Sequence, residues 1–197
     1  MDQYLNEGII ALLPVYTTTN RAHVITQRDE YYEGRTVPWL VEKLATHYSL
    51  NINELRRYYG DLLSVKKHVI IPINDDLILL PIKSRAAVFS GETTVGYCSL
   101  LQIDSVDDYT GDAGPWLSSI QFKTGYELNT LNTAETLRDK IRQGEQVRHH
   151  YIKRRGQGPG YAGLSRADIE GCLPNCNCLL IDFFRRLLLH NDDELAR

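Results

Sequence analysis

The sequence predicts an α+β fold, mainly antiparallel β-sheet, with a short helical pair near residues 37–59 and a helical C-terminal region. Three observations carry this expectation. Two apolar, β-rich runs at residues 69–73 and 77–82 flank the turn-forming Asn74-Asp75-Asp76, as a hairpin requires. A second pair of runs, 117–123 and 126–131, flanks Thr124-Gly125. Near residues 37–59, after residue 132 and in the C-terminal region the apolar residues recur at helical spacing.

In chain order, residues 8–14 form a first strand that the spacing ends at Pro14, since proline lacks a ladder N–H. Residues 22–26 and 28–34 supply a second short strand and a turn. Thr36 stands as a helix cap with Pro38 in the first turn, and Trp39, Leu40, Lys43, Leu44 and Tyr48 repeat at helical spacing for about three turns. Residues 49–53 interrupt, and 53–60 read as a short second helix ending at Gly60. The pair invites comparison with a helix-turn-helix, but a reading helix of at most about two turns is too short to present base-contacting side chains. Beyond the first hairpin, residues 95–103 read as one strand covered on both faces. After the second hairpin, Asn132 and Glu135 have capping spacing and open a helix striped with Ala134, Leu137 and Ile141, expected to fray near Gly144.

The Gly156-to-Gly160 stretch, with Pro159, marks an internal boundary between a 1–155 α+β domain and a 156–197 linker with a helical appendage. In the appendage Leu180, Phe183, Phe184, Leu187 and Leu188 share a helical face with more apolar surface than a free tail needs. They are expected to pack on the domain or to join copies of the chain in a homo-oligomer. Cys172, Cys176 and Cys178 form C-x3-C-x-C, with His190 as a candidate fourth ligand. That is not the paired spacing of structural zinc sites, and buried thiols are expected instead of a metal.

At 197 residues and 43% hydrophobic content, the chain can bury a real core. No apolar run approaches the ~20 residues of a membrane span, and the acidic start lacks a signal-peptide pattern, so a cytoplasmic protein is expected. Catalytic fingerprints are absent: there is no nucleophile elbow, H-E-x-x-H, phosphate loop or dinucleotide signature, so neither enzyme activity nor a cofactor is predicted. Formal net charge is −3, yet residues 138–155 hold seven basic residues against two acidic, a local excess of +5 that leaves −8 for the rest. Segregated charge can attract a polyanion even when the total is negative.

The runs GIIALLP, LVEKLATHYSLNINELRRYYG, VKKHVIIPINDDLILLPIKSR, VGYCSLLQI, SSIQFKTGYEL and LLIDFFRRLL, in that order, resemble the ComK competence transcription factors of low-GC Gram-positive bacteria. The resemblance spans most of the chain and departs from the family's pattern at Ala45, residues 49–51 and Tyr97. It implies an activator that contacts A/T-rich minor grooves of double-stranded DNA as paired dimers and is controlled by a proteolysis adaptor. On residue chemistry, Arg56, Arg57 and Arg85 are candidates to enter a narrow groove, because guanidinium is cheaper to desolvate than ammonium. Lys66, Lys67, Lys83, Arg142, Arg148, Lys153, Arg154 and Arg155 are candidates for phosphates. The alternatives are a protein-interaction module docking an acidic partner, and an inactive paralogue that sequesters an active regulator.

Overall fold

Eight nearly continuous apolar residues, Ile9–Tyr16, form β1 near the middle of a six-stranded antiparallel sheet. The computed structural model describes residues 1–16, 19–87, 89–112 and 114–156. Following β1 are β2 (Asn20–Thr26), β3 (Glu30–Glu33), β4 (Ile71–Pro72), β5 (Ile78–Lys83) and β6 (Val95–Ser99), in the spatial order β3-β2-β1-β6-β5-β4. A separate three-stranded sheet is built in sequence order from β7 (Ile103–Asp108), β8 (Ser118–Phe122) and β9 (Glu127–Thr130). The α+β class, mainly antiparallel, is therefore the observed one.

Strand periodicity explains why the large sheet is covered on both faces. Along β5, Ile78, Leu80 and Ile82 belong to one apolar cluster while Leu79 belongs to the other, as alternate residues must. The first cluster is completed by Val106, Ile120, Phe122 and Leu128 of the small sheet and by Ala134, Leu137 and Val147 of a long helix, Ala134–Gly156. The second is completed by Val37, Leu40, Val41, Leu44 and Ala45 of the helix Val37–His47. In chain order the helices are α1 (Asp2–Glu7), α2 (Val37–His47), α3 (Ile52–Leu63) and α4 (Ala134–Gly156). The expected cap is present on α2, where the Thr36 hydroxyl accepts the Trp39 N–H. Both expected hairpins form, the first closed by Asn74 Oδ1, which accepts the N–H groups of Asp76 (2.8 Å) and Leu77 (2.7 Å).

Five expectations give way. Strand β1 runs through Pro14 to Tyr16. Its pairing with β6 covers only Ala11 and Leu12, so Pro14 lies where just β2 is a ladder partner, and a missing N–H is tolerated there. Helix α3 begins after Asn51, whose side chain accepts from Asn53 and Glu54, and continues past Gly60 to Leu63. Gly60 is inside the helix because a Cβ would lie 2.8 Å from the Val65 carbonyl oxygen; the left-handed cap is Ser64. At 12 residues α3 exceeds three turns, which removes the length objection raised above. Residues 95–103 are not one strand: β6 stops at Ser99, a 3-10 turn (Leu100–Gln102) intervenes, and Ile103 opens β7 in the other sheet.

The fifth concerns α4, which passes through Gly144 without fraying. A Cβ on Gly144 would meet Leu80 Cδ2 at 2.8 Å and Leu100 Cδ2 at 3.2 Å, so the glycine sets how closely the helix approaches the sheet. The helix is capped by Thr133, whose hydroxyl accepts the Thr136 N–H. Asn132, the expected cap, accepts the Lys83 N–H instead, at 2.7 Å. Residues Met1–Arg155 form one compact unit. The expectations placed on Cys172, Cys176, Cys178, His190 and the Leu180-to-Leu188 face lie outside the described residues. Among the described residues, no helix is long and apolar enough to cross a membrane.

Candidate nucleic-acid interface

Helix α4 carries few apolar residues and is held on the domain largely by long polar arms that reach main-chain carbonyls. Arg138 donates to Val106 O (2.9 Å), Lys140 to Pro81 O (2.7 Å), Arg148 to Asp75 O (3.3 Å) and Tyr151 to Ile73 O (3.2 Å). These contacts run from the small sheet, along β5, to the β4–β5 turn. Burial lowers the pKa of Lys140, as expected for an ammonium whose stem crosses apolar surface. Arg155 adds an ion pair to Asp75 at 3.2 Å.

That path brings the last turns of α4 against α3. The Tyr58 hydroxyl lies 3.3 Å from His150 Nε2, and the Arg154 guanidinium carbon sits 4.3 Å from the centroid of the Tyr58 ring. Beneath them Tyr59 is buried; burial pushes its phenol up to about 12 while the Arg154 charge pulls the other way. Lys153 and Arg154 are exposed here, as are Arg57 on α3 and Lys66 and Lys67 just after it. Lys67 and Lys140 also bear on His68, whose pKa is lowered first by burial and then by these two charges. Arg154 of α4 and Tyr58 of α3, 96 positions apart in sequence, thus share one surface. Carboxylates stand on these helices too, Glu54 and Asp61 on α3 and Asp139 and Glu145 on α4, and others line two edge strands: Glu30 and Glu33 on β3, and Asp104, Asp107 and Asp108 on β7. Charge on an edge strand also discourages unwanted strand pairing.

The structure sorts the candidate cations. Arg56 is half-buried against Tyr97; burial raises the Tyr97 phenol, and the Arg56 charge and hydrogen bond lower it. Arg85 pairs with Glu92 at 2.8 Å, the two side chains being 18% and 4% exposed, and its guanidinium lies 5.7 Å from the Tyr16 ring centroid. Arg57 pairs with Glu54 and Arg142 with Asp139, each three residues apart on its helix and exposed to solvent, where such pairs break at little cost. Lys83 is exposed near the start of α4, away from the α3–α4 face. Sequence reading missed Tyr58 and His150, which the tertiary contact alone brings together. It also missed Arg35, Trp39 and Lys43, whose spacing of four was legible.

Two further features have other characters. Cys98 is fully buried and its thiol is pushed up to about 12, so it is packed as an apolar group. Between α4 and the small sheet an open cleft of 240 Å³ is lined by Leu100, Ile103, Asp104, Lys123, Arg138 and Glu145 among others, with no dominant sign of charge. No family model matches the chain, and no curated protein or solved structure matches it either.

Proposed function

We propose that this chain is a DNA-binding regulator whose contact surface is the cationic face where α3 and α4 meet. The observation that carries this reading is the Tyr58–His150–Arg154 contact, which places the exposed Arg154 against α3. Phosphate backbones bind fixed arrays of cations by releasing counterions, and a prepositioned array avoids ordering long side chains on binding. Arg154, held 4.3 Å from the Tyr58 ring centroid, is ordered in this way. Arg56 and Arg85 already have internal partners, so groove entry falls to Arg57, and Lys153 and Arg154 hold phosphates.

The resemblance stated above supports the finer reading: an activator, a dimer or higher oligomer, and a preference for A/T-rich minor grooves. Fluorescence anisotropy with A/T-rich and G/C-rich duplexes of equal length, across a salt series, tests it. Lys153→Ala/Arg154→Ala is expected to reduce the slope of log affinity against log salt by about 2, roughly 0.9 per lost phosphate contact. Absence of binding to either duplex at low salt would overturn the proposal. Association with an acidic protein in its place would support a protein-interaction module.

A further inference from the structure

Helix α2 turns a second set of cations to solvent, on the opposite face of the large sheet from α4. Trp39, Lys43 and His47 stand four residues apart, a spacing that puts side chains in one row along a helix, and Arg35, just before the Thr36 cap, reaches the Trp39 end of it. The Trp39 indole is 37% exposed, with the Arg35 guanidinium carbon and the Lys43 nitrogen each 5.5 Å from its ring centroid. Neither cation takes part in an ion pair among the described residues. His47 faces Asp2 at 3.4 Å, and Glu42 is the acid exposed on the same stretch. The His47 ring meets Tyr48 edge-on at 5.1 Å, and Tyr48 is close enough to Tyr151 of α4 to act on its phenol. Nearly one turn further along α4, Arg154 covers Tyr58.

We propose that this row is a track for single-stranded nucleic acid, with an unpaired base taking the place of the two cations over the Trp39 indole and Arg35 and Lys43 turning out to the flanking phosphates. Stacking needs a free base face, which a single strand offers and a paired duplex does not. An acidic peptide would answer the two charges but offers no flat base to the exposed indole. The row is also preorganised, because α2 is capped by Thr36 and fixed by five buried residues on its other side. This goes beyond duplex binding and stands independently of it.

The test uses the whole chain in a Trp116→Phe background, which leaves Trp39 as the only one of the two tryptophans. Its fluorescence is followed while oligothymidine of about 12 nucleotides is added, a length within the range of single-strand binding sites. Saturable, salt-sensitive quenching is expected, with affinity about tenfold weaker in Arg35→Ala/Lys43→Ala and a slope of log affinity against log salt lower by about 1.4, the loss of two phosphate contacts to a single strand. Circular dichroism of that variant should match the parent. No quenching, unchanged affinity in the variant, or equal quenching by polyglutamate or by a duplex of the same length would overturn the track. A labelled duplex followed by anisotropy reports separately on the α3–α4 face. Loss of that signal with Trp39 quenching intact would remove the proposed function and leave the track.

Discussion

The two faces of the six-stranded sheet are covered by helices that are held in different ways. Helix α2 docks through a stripe of Val37, Leu40, Val41, Leu44 and Ala45, all buried, so the hydrophobic effect fixes it. Helix α4 buries Ala134, Leu137 and Val147 but otherwise depends on four side-chain hydrogen bonds to carbonyls and on the close approach allowed at Gly144. The difference has a functional logic. On α4 the arms that hold the helix come from the same side chains that carry its charge, whereas on α2 the buried stripe fixes the helix and leaves Trp39, Lys43 and His47 exposed on the other side.

This contrast can be broken from either side. Leu44→Ala should cost the most, about 2–5 kcal/mol, because a cavity opens in a buried cluster. Denaturant titration should record that loss while duplex affinity at 25 °C stays unchanged. Gly144→Val should cost about 1–3 kcal/mol by driving branched carbons into Leu80 and Leu100. Here duplex affinity should fall as well, because Lys153 and Arg154 ride on the displaced helix. Hydrogen exchange should speed up along α4 and not α2; equal acceleration in both helices would contradict the separation drawn here. Tyr151→Phe removes one hydrogen bond to Ile73 O and should cost about 0.5–1.5 kcal/mol, again with faster exchange confined to the end of α4.

The smallest effect concerns α1, which has no buried residue. The Glu7 carboxylate accepts from the Tyr31 hydroxyl, Thr26 and Gln3, and the Tyr31 bond is the first cause that holds its pKa below the ordinary 4.5. A carboxyl lowered in the folded state stabilises it above the ordinary pKa, and this contribution fades as pH falls below 4.5 through the folded value. Amide exchange in α1 should therefore accelerate over that acid window. In Tyr31→Phe the acceleration should begin at higher pH. An unchanged profile would mean that the carboxylate does not hold the helix.

How far the sequence could be read depended on the distance between interacting residues. The Thr36 cap, the Asn74 turn and the Gly125 turn are settled within four residues, and all were legible. Pro14 and Gly144 were read by their intrinsic tendency to stop strands and helices. Both tendencies were overridden, in one case by the absence of a second ladder partner and in the other by close packing on Leu80 and Leu100. Arg56 and Arg85 looked like free cations because their partners, Tyr97 and the buried Glu92, become neighbours only in the folded chain.

By itself, then, the sequence determined the α+β class, both hairpins, the existence of α2 and the cationic character of residues 138–155, since each follows from local spacing or composition. Only the tertiary structure decided the strand order, the length of α4 and which arginines remain available. It also decided that Tyr58, His150 and Arg154 meet, a contact between residues 92 positions apart. Such contacts depend on the packing of whole elements, and a periodicity of two or 3.6 residues carries no record of which elements will face each other.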